Sequence, residues 1–219
     1  MVVQPIADAP ESAPAPPDLY GEARKALEDD RVEMAAKERT PELQQQARER
    51  LTAAIRHELI PHWYGTAWEF YGTTQVPGEG AIACGYFVST VLEHASLQVE
   101  RVMMAQQRSE YIVLTFSEPP HVRRFRTGDV DAVVDALEQE RPGVYVVGLD
   151  FHTGFVIRTA DTVEFCHSNW IESEGVVCND PRTDPAFASE YHIYGPVFED
   201  AVIDKWLGGE PVTTYVRDR

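Results

Sequence analysis

"GEGAIACGYFVSTVL", Gly78 to Leu92, sets one of only three cysteines where a glycine-rich turn gives way to an apolar helical pattern. Phe87, Val88, Val91, Leu92 and Ala95 recur at three- and four-residue spacing, which predicts a helix from about Cys84 with the cysteine on its buried stripe. A thiol in that place is either a small core residue or a nucleophile. The unpaired backbone N–H groups and the macrodipole of a helix N-terminus favour a thiolate.

Downstream the hydrophobic period changes to two. "VYVVGLD", "HTGFVI" and "TVEFCHS" are short β-rich runs separated by brief polar turns, which predicts an antiparallel meander. A further strand is expected at Tyr191–Tyr194 and a helix around Asp200–Leu207, with an acidic loop over Asn179–Ser189 before them. Upstream, Leu19 to about Leu59 reads as two helices parted at Thr40-Pro41, with Thr40 as N-cap and Pro41 at the first helical position. In this extension, residues 19–60, the first helix is weakly apolar and is expected to pack loosely outside the core. A helix is expected over Asp129–Gln139, and Leu97–Phe116 fits neither period. Helices first and an antiparallel sheet afterwards define an α+β class, one domain over 19–219.

Residues 1–18 are Ala- and Pro-rich with few large apolar groups and are expected to form a flexible tail. No signal-peptide pattern is visible in it, yet such tails often follow a removed signal or anchor. An exported or periplasmic protein is therefore favoured slightly over a cytoplasmic one. No run approaches the roughly 18 apolar residues of a transmembrane helix. The net charge of −17 excludes the basic surface that nucleic-acid binding needs. Most of the excess lies beyond residue 126, as expected of a solvated acidic face.

An activated cysteine needs a base, usually a histidine held by a third group. Of the seven histidines, His152 is best placed, because it heads the strand "HTGFVI", where a sheet end can meet a helix N-terminus. Gly154 lets another backbone or a substrate come close. His167, in "FCHSNW", falls on the neighbouring strand and is one candidate to orient His152; Asn169 is the other. Cys166 and Cys178 could form one disulfide that leaves Cys84 free, which the sequence alone does not decide. Cys166, His167, Cys178 and His192 include metal-ligand types, but adjacent strand residues point to opposite faces, so no metal is expected. The basic "HVRRFR" segment, with Arg123, Arg124 and Arg126, reads as a solvated loop with intramolecular partners.

Cysteine at the head of a core helix, then "HTGFVI", then "FCHS" resembles the NlpC-like branch of the papain-like cysteine peptidases. The likeness covers about Trp63 to Asn169. It implies a papain-like, NlpC-related core in which the helix bearing the cysteine packs on the sheet. It also implies a Cys84–His152–His167 triad, selecting His167 over Asn169, and a thiol hydrolase (peptidase or amidase) without cofactor. The implied substrates are peptides, including peptidoglycan fragments of the bacterial cell envelope. In this frame the oxyanion would be held by the Cys84 backbone N–H and a donor from the preceding segment, Gln75 or else Tyr71, with Trp68 and Trp170 as walls of the cleft. Two departures stand out: Gly85-Tyr86 follows the cysteine, and 68 residues separate Cys84 from His152, which implies an insertion. Two other classes fit the same residues, an acyltransferase with the same triad and a non-catalytic peptide-binding module.

Overall fold

The computed structural model describes residues 18–171 and 174–216, so the expected tail lies outside it except for Asp18. Helix α1 (Leu19–Ala35) starts where the Asp18 carboxylate accepts the Gly21 N–H at 2.8 Å. Helix α2 (Pro41–Ala53) starts as the sequence predicts, with Thr40 Oγ1 accepting from Leu43 N–H and Pro41 at its first turn. It runs through a wider π-helical stretch into α3 (Ile60–Trp63).

The first helix is not loosely packed. Leu27, Leu51, Ile55 and Trp63 are buried in the main core. The Tyr20 hydroxyl accepts from Trp63 Nε1 at 2.8 Å and meets His94 Nδ1 at 2.8 Å. This buried junction stitches α1 to α4 (Cys84–His94). A weakly apolar helix can thus be tied inward by one amphipathic ring whose polar end finds partners.

The segment that fits neither period is a short strand β1 (Gln98–Val99) followed by helices α5 (Arg101–Ala105) and α6 (Ser109–Phe116). The "HVRRFR" segment is not a loop: Arg123–Arg126 forms strand β2, with Arg123 paired to Glu140 and Arg124 to Glu110. Helix α7 (Val130–Glu138) is capped by Asp129, whose carboxylate accepts from Ala132 N–H. Strands β3 (Gly143–Leu149), β4 (Thr153–Arg158) and β5 (Val163–Asn169) form the expected meander. Strand β6 (Gly175–Asn179) extends it at the edge, β7 (Tyr191–Pro196) pairs with β3 on the other side, and β2 pairs with β7. The result is a six-stranded antiparallel sheet in the order β2-β7-β3-β4-β5-β6. Helix α8 (Asp200–Gly208) follows, and a last strand β8 (Pro211–Val212) pairs in parallel with β1.

Strand alternation divides the sheet into two cores. Val144, Val146, Phe155, Ile157, Cys166 and Ile193 face the main core, which also holds α4. Tyr145, Val147, Val156, Phe165 and Tyr194 face a second core closed by Val133, Val134 and Leu137 of α7. Both faces of β3 are therefore covered, and all seven of its residues are buried. Cys166 and Cys178, paired in register on β5 and β6, form a disulfide, and Cys84 is free. No helix among the described residues is long and apolar enough to cross a membrane.

Tyr20→Phe keeps the ring but strands Trp63 Nε1 and His94 Nδ1 in the core. The expected loss is about 1–3 kcal/mol, read from denaturant midpoints at unchanged m-value.

Candidate active site

Cys84 is the first residue of α4, after Ala83 in extended conformation and with no side-chain cap. Its neighbour is glycine for a steric reason. A Cβ on Gly85 would lie 2.4 Å from the Ala105 carbonyl oxygen, so the end of α5 can pack on the head of α4 only without one. Cys84 is half-buried and lines a cavity of about 430 Å³ together with His152, Thr153, Gln107, Arg108 and Ser109.

His152 ends the turn between β3 and β4. The turn is fixed by Leu149 N–H donating to His152 O at 2.9 Å, and Thr153 Oγ1 donates to Val147 O at 2.8 Å. The imidazole is buried, and its Nε2 lies 2.7 Å from His167 Nδ1. His167 Nε2 lies 3.0 Å from Asp184 Oδ2. Asp184 also accepts from Asn179 Nδ2 at 2.8 Å and, through Oδ1, from Ala186 N–H at 2.7 Å. The two imidazoles meet because β4 and β5 pair Phe155 with Cys166, and one step on in the same register sets Gly154 against His167. A Cβ at 154 would fall 2.8 Å from His167 Cβ and 2.7 Å from Phe165. The close approach expected at this glycine is therefore made by the protein's own histidine.

Proton positions follow from the chain of partners. Asp184 only accepts when ionised, so His167 Nε2 carries the proton and His167 Nδ1 is the acceptor. His152 Nε2 must then be the donor. The nitrogen left with a free lone pair is His152 Nδ1, the one not engaged by His167, in a side chain that lines the cavity beside Cys84. A nitrogen so placed can accept a proton.

Electrostatics set the resting state. Burial lowers the His152 pKa to about 3, with a contribution from His167 that the Asp184 charge only partly offsets. Burial also raises the Cys84 thiol, although the Thr153, Gly85 and Cys84 N–H groups donate to the sulfur and pull the other way. The protein packed around the thiol outweighs the helix N-terminus, which favours the neutral thiol over the thiolate expected from the sequence. Burial pushes the Asp184 carboxyl up, but the hydrogen bonds from His167 and Asn179 more than offset it and hold it below the usual range.

The other expected residues fall elsewhere. Asn169 does not orient His152: its Nδ2 donates to Glu174 at 2.8 Å and its Oδ1 accepts from Ile171 N–H. Gln75 is exposed and lines a separate cavity with Tyr20 and His62, because the turn at Pro77-Gly78 carries it away from Cys84. The amide side chain at the Cys84 cavity is Gln107, whose Nε2 donates to Met103 O at 3.0 Å. Tyr71 is 87% exposed, edge-on to Phe70, and Trp68 borders neither cavity that His152 lines. Trp170 does line the second of these. Asp184 was missed; its only sequence signal is a carboxylate in an acidic loop close after "FCHS".

Comparison with known proteins finds no match: no family model, no curated protein and no solved structure is similar to this chain.

The neutral pair fixes a pH signature. With the thiol raised and the imidazole lowered, the uncharged forms of both groups are favoured at neutral pH. Iodoacetamide labelling of Cys84, followed by peptide mass spectrometry, should climb only above the ordinary thiol range near pH 8.5. A labelling plateau below pH 7 would contradict it. Gly154→Ala should cost about 1–3 kcal/mol in stability by pushing His167 off the sheet, measured by chemical denaturation.

Proposed function

We propose that the protein is a cysteine-dependent amide hydrolase with a papain-like, NlpC-related core. The observation that carries this reading is the buried chain Asp184–His167–His152, which ends at the cavity shared with Cys84. The order of motifs along the chain supports it, and so does α4 packing on β4 and β5. The antiparallel α+β architecture is compatible with it.

In this reaction the Cys84 thiol gives its proton to His152 Nδ1 as the sulfur attacks the carbonyl carbon. The imidazolium formed at His152 is stabilised through His167 by the Asp184 carboxylate. The oxyanion is met by N–H groups of the first turn of α4, which have no partner within the helix. Collapse of the tetrahedral intermediate expels the amine, which takes the proton from Nδ1 and leaves a thioester. Water, losing a proton to Nδ1, attacks the thioester carbon. The acid departs and the sulfur recovers its proton. A peptide-type amide is the substrate class, with peptidoglycan stem peptides included by the resemblance.

Asp184→Asn tests the relay. It puts an amide N–H where His167 now finds a carboxylate, which favours the wrong tautomer in both imidazoles. Cys84-dependent hydrolysis of p-nitrophenyl acetate and of a mixed peptide pool should fall by about 10²–10⁴-fold. Turnover unchanged in this variant, or unchanged in Cys84→Ala, would sink the proposal.

A further inference from the structure

His152 lines two cavities. The first contains Cys84, and the second, of about 410 Å³, does not. They are parted by the turn between β3 and β4, with Phe151 as the ridge, its side chain almost wholly in solvent at 96% exposure. The second cavity is walled by Phe151, Trp170, Pro185, Ala186 and Ala188, and Trp170 is half exposed. Large apolar side chains held open beside a candidate catalytic base are the usual sign of a ligand surface.

The chemistry assigns the two sides. The carbonyl carbon must reach the sulfur, so the acyl portion belongs in the Cys84 cavity. The departing nitrogen must reach His152 to collect its proton, so the amine portion extends past His152, toward the cavity that holds the base without the nucleophile. Resting on the hydrolase reading above, we infer that the second cavity is the leaving-group subsite and that it selects an amine carrying an apolar, preferably aromatic, side chain. Asp150 and Glu190 at its border disfavour an acidic one. The Asp150 carboxylate is held in place by Ser189 Oγ at 2.7 Å and by the Glu190 and Tyr191 N–H groups. Ser189 hydrogen bonding, chiefly, lowers its pKa, so the border is charged at neutral pH.

The subsite is testable without knowing the acyl group, because a leaving-group site also binds an incoming amine. Cys84 is acetylated with p-nitrophenyl acetate at pH 9.5, and decay of the acetyl-enzyme is followed with phenylalanine amide, glycine amide or aspartic acid α-amide. The amine nitrogen attacks the thioester carbon and the C–N bond forms as the C–S bond breaks. The electron pair leaves with the sulfur, and the amine proton passes through His152 Nδ1 back to the thiolate. Phenylalanine amide should speed decay saturably, at least about tenfold over glycine amide at equal concentration, as burial of an aromatic side chain allows. Aspartic acid α-amide should be slower than glycine amide. In Trp170→Ala and in Phe151→Ala the phenylalanine-to-glycine ratio should drop toward one. Both residues are exposed, so neither change threatens folding. An acetyl-enzyme that reacts with all three amines at one rate overturns the subsite alone. Absence of any acetyl adduct on Cys84 overturns the hydrolase reading and the subsite together.

Discussion

A carboxylate inside a protein must be fully satisfied or it will not stay charged, and Asp184 is the place where this fold meets that demand. Its oxygens accept from an imidazole, an amide side chain and a backbone N–H, so three partners from β5, β6 and the loop itself converge on one group. Removing one partner of such a buried pair typically costs about 3–5 kcal/mol, which makes the loop conformation and the His167 orientation a single property. The loop is fastened from outside as well. Arg182, two residues earlier, reaches Asp131, Asp135 and Glu138 along α7. Each exposed pair is weak by itself, but three carboxylates around one guanidinium hold the loop against the helix that closes the second core.

Orientation passes inward from that point. His167 stacks on Phe165 with ring centroids 4.1 Å apart and planes within 11°, so packing fixes its plane while Asp184 fixes its tautomer. A side chain at Gly154 would press on Phe165 and His167 Cβ, so its absence lets β4 and β5 hold the imidazoles together. Antiparallel register, one glycine and one buried charge therefore deliver a basic nitrogen to the cavity. None of the three does so alone.

The parts legible in the sequence were those governed by local periodicity. The helix head at Cys84, the strands on either side of His152, and His167 on the adjacent strand follow from a period of 3.6 giving way to a period of two. Asp184 was not legible, because one carboxylate among 36 acidic residues carries no mark of burial, and its partners lie on other elements. Gln75 misled for the opposite reason: closeness along the chain suggested closeness in space, and a turn cancelled it. The tight packing of α1 was hidden because its anchor is the hydroxyl of Tyr20 rather than a stripe of apolar residues. The strand at Arg123–Arg126 was hidden because its outward charges mask the pairing that its backbone makes with β7.

The resting neutrality of Cys84 and His152 then has a chemical logic. In a medium oxidising enough to keep Cys166 and Cys178 paired, a standing thiolate on a cavity wall would be the first group lost to oxidation. A thiol kept protonated by its surroundings resists that loss. On the hydrolase reading, the cost is that the proton must move during the attack rather than before it, against an imidazole whose burial opposes the charge. Asp184 compensates at that step and no earlier, because its attraction strengthens only when His152 becomes an imidazolium. On the hydrolase reading, a buried relay and a neutral nucleophile are thus two halves of one arrangement: the burial that favours the neutral sulfur at rest gives a distant, fully satisfied carboxylate its part in the transition state.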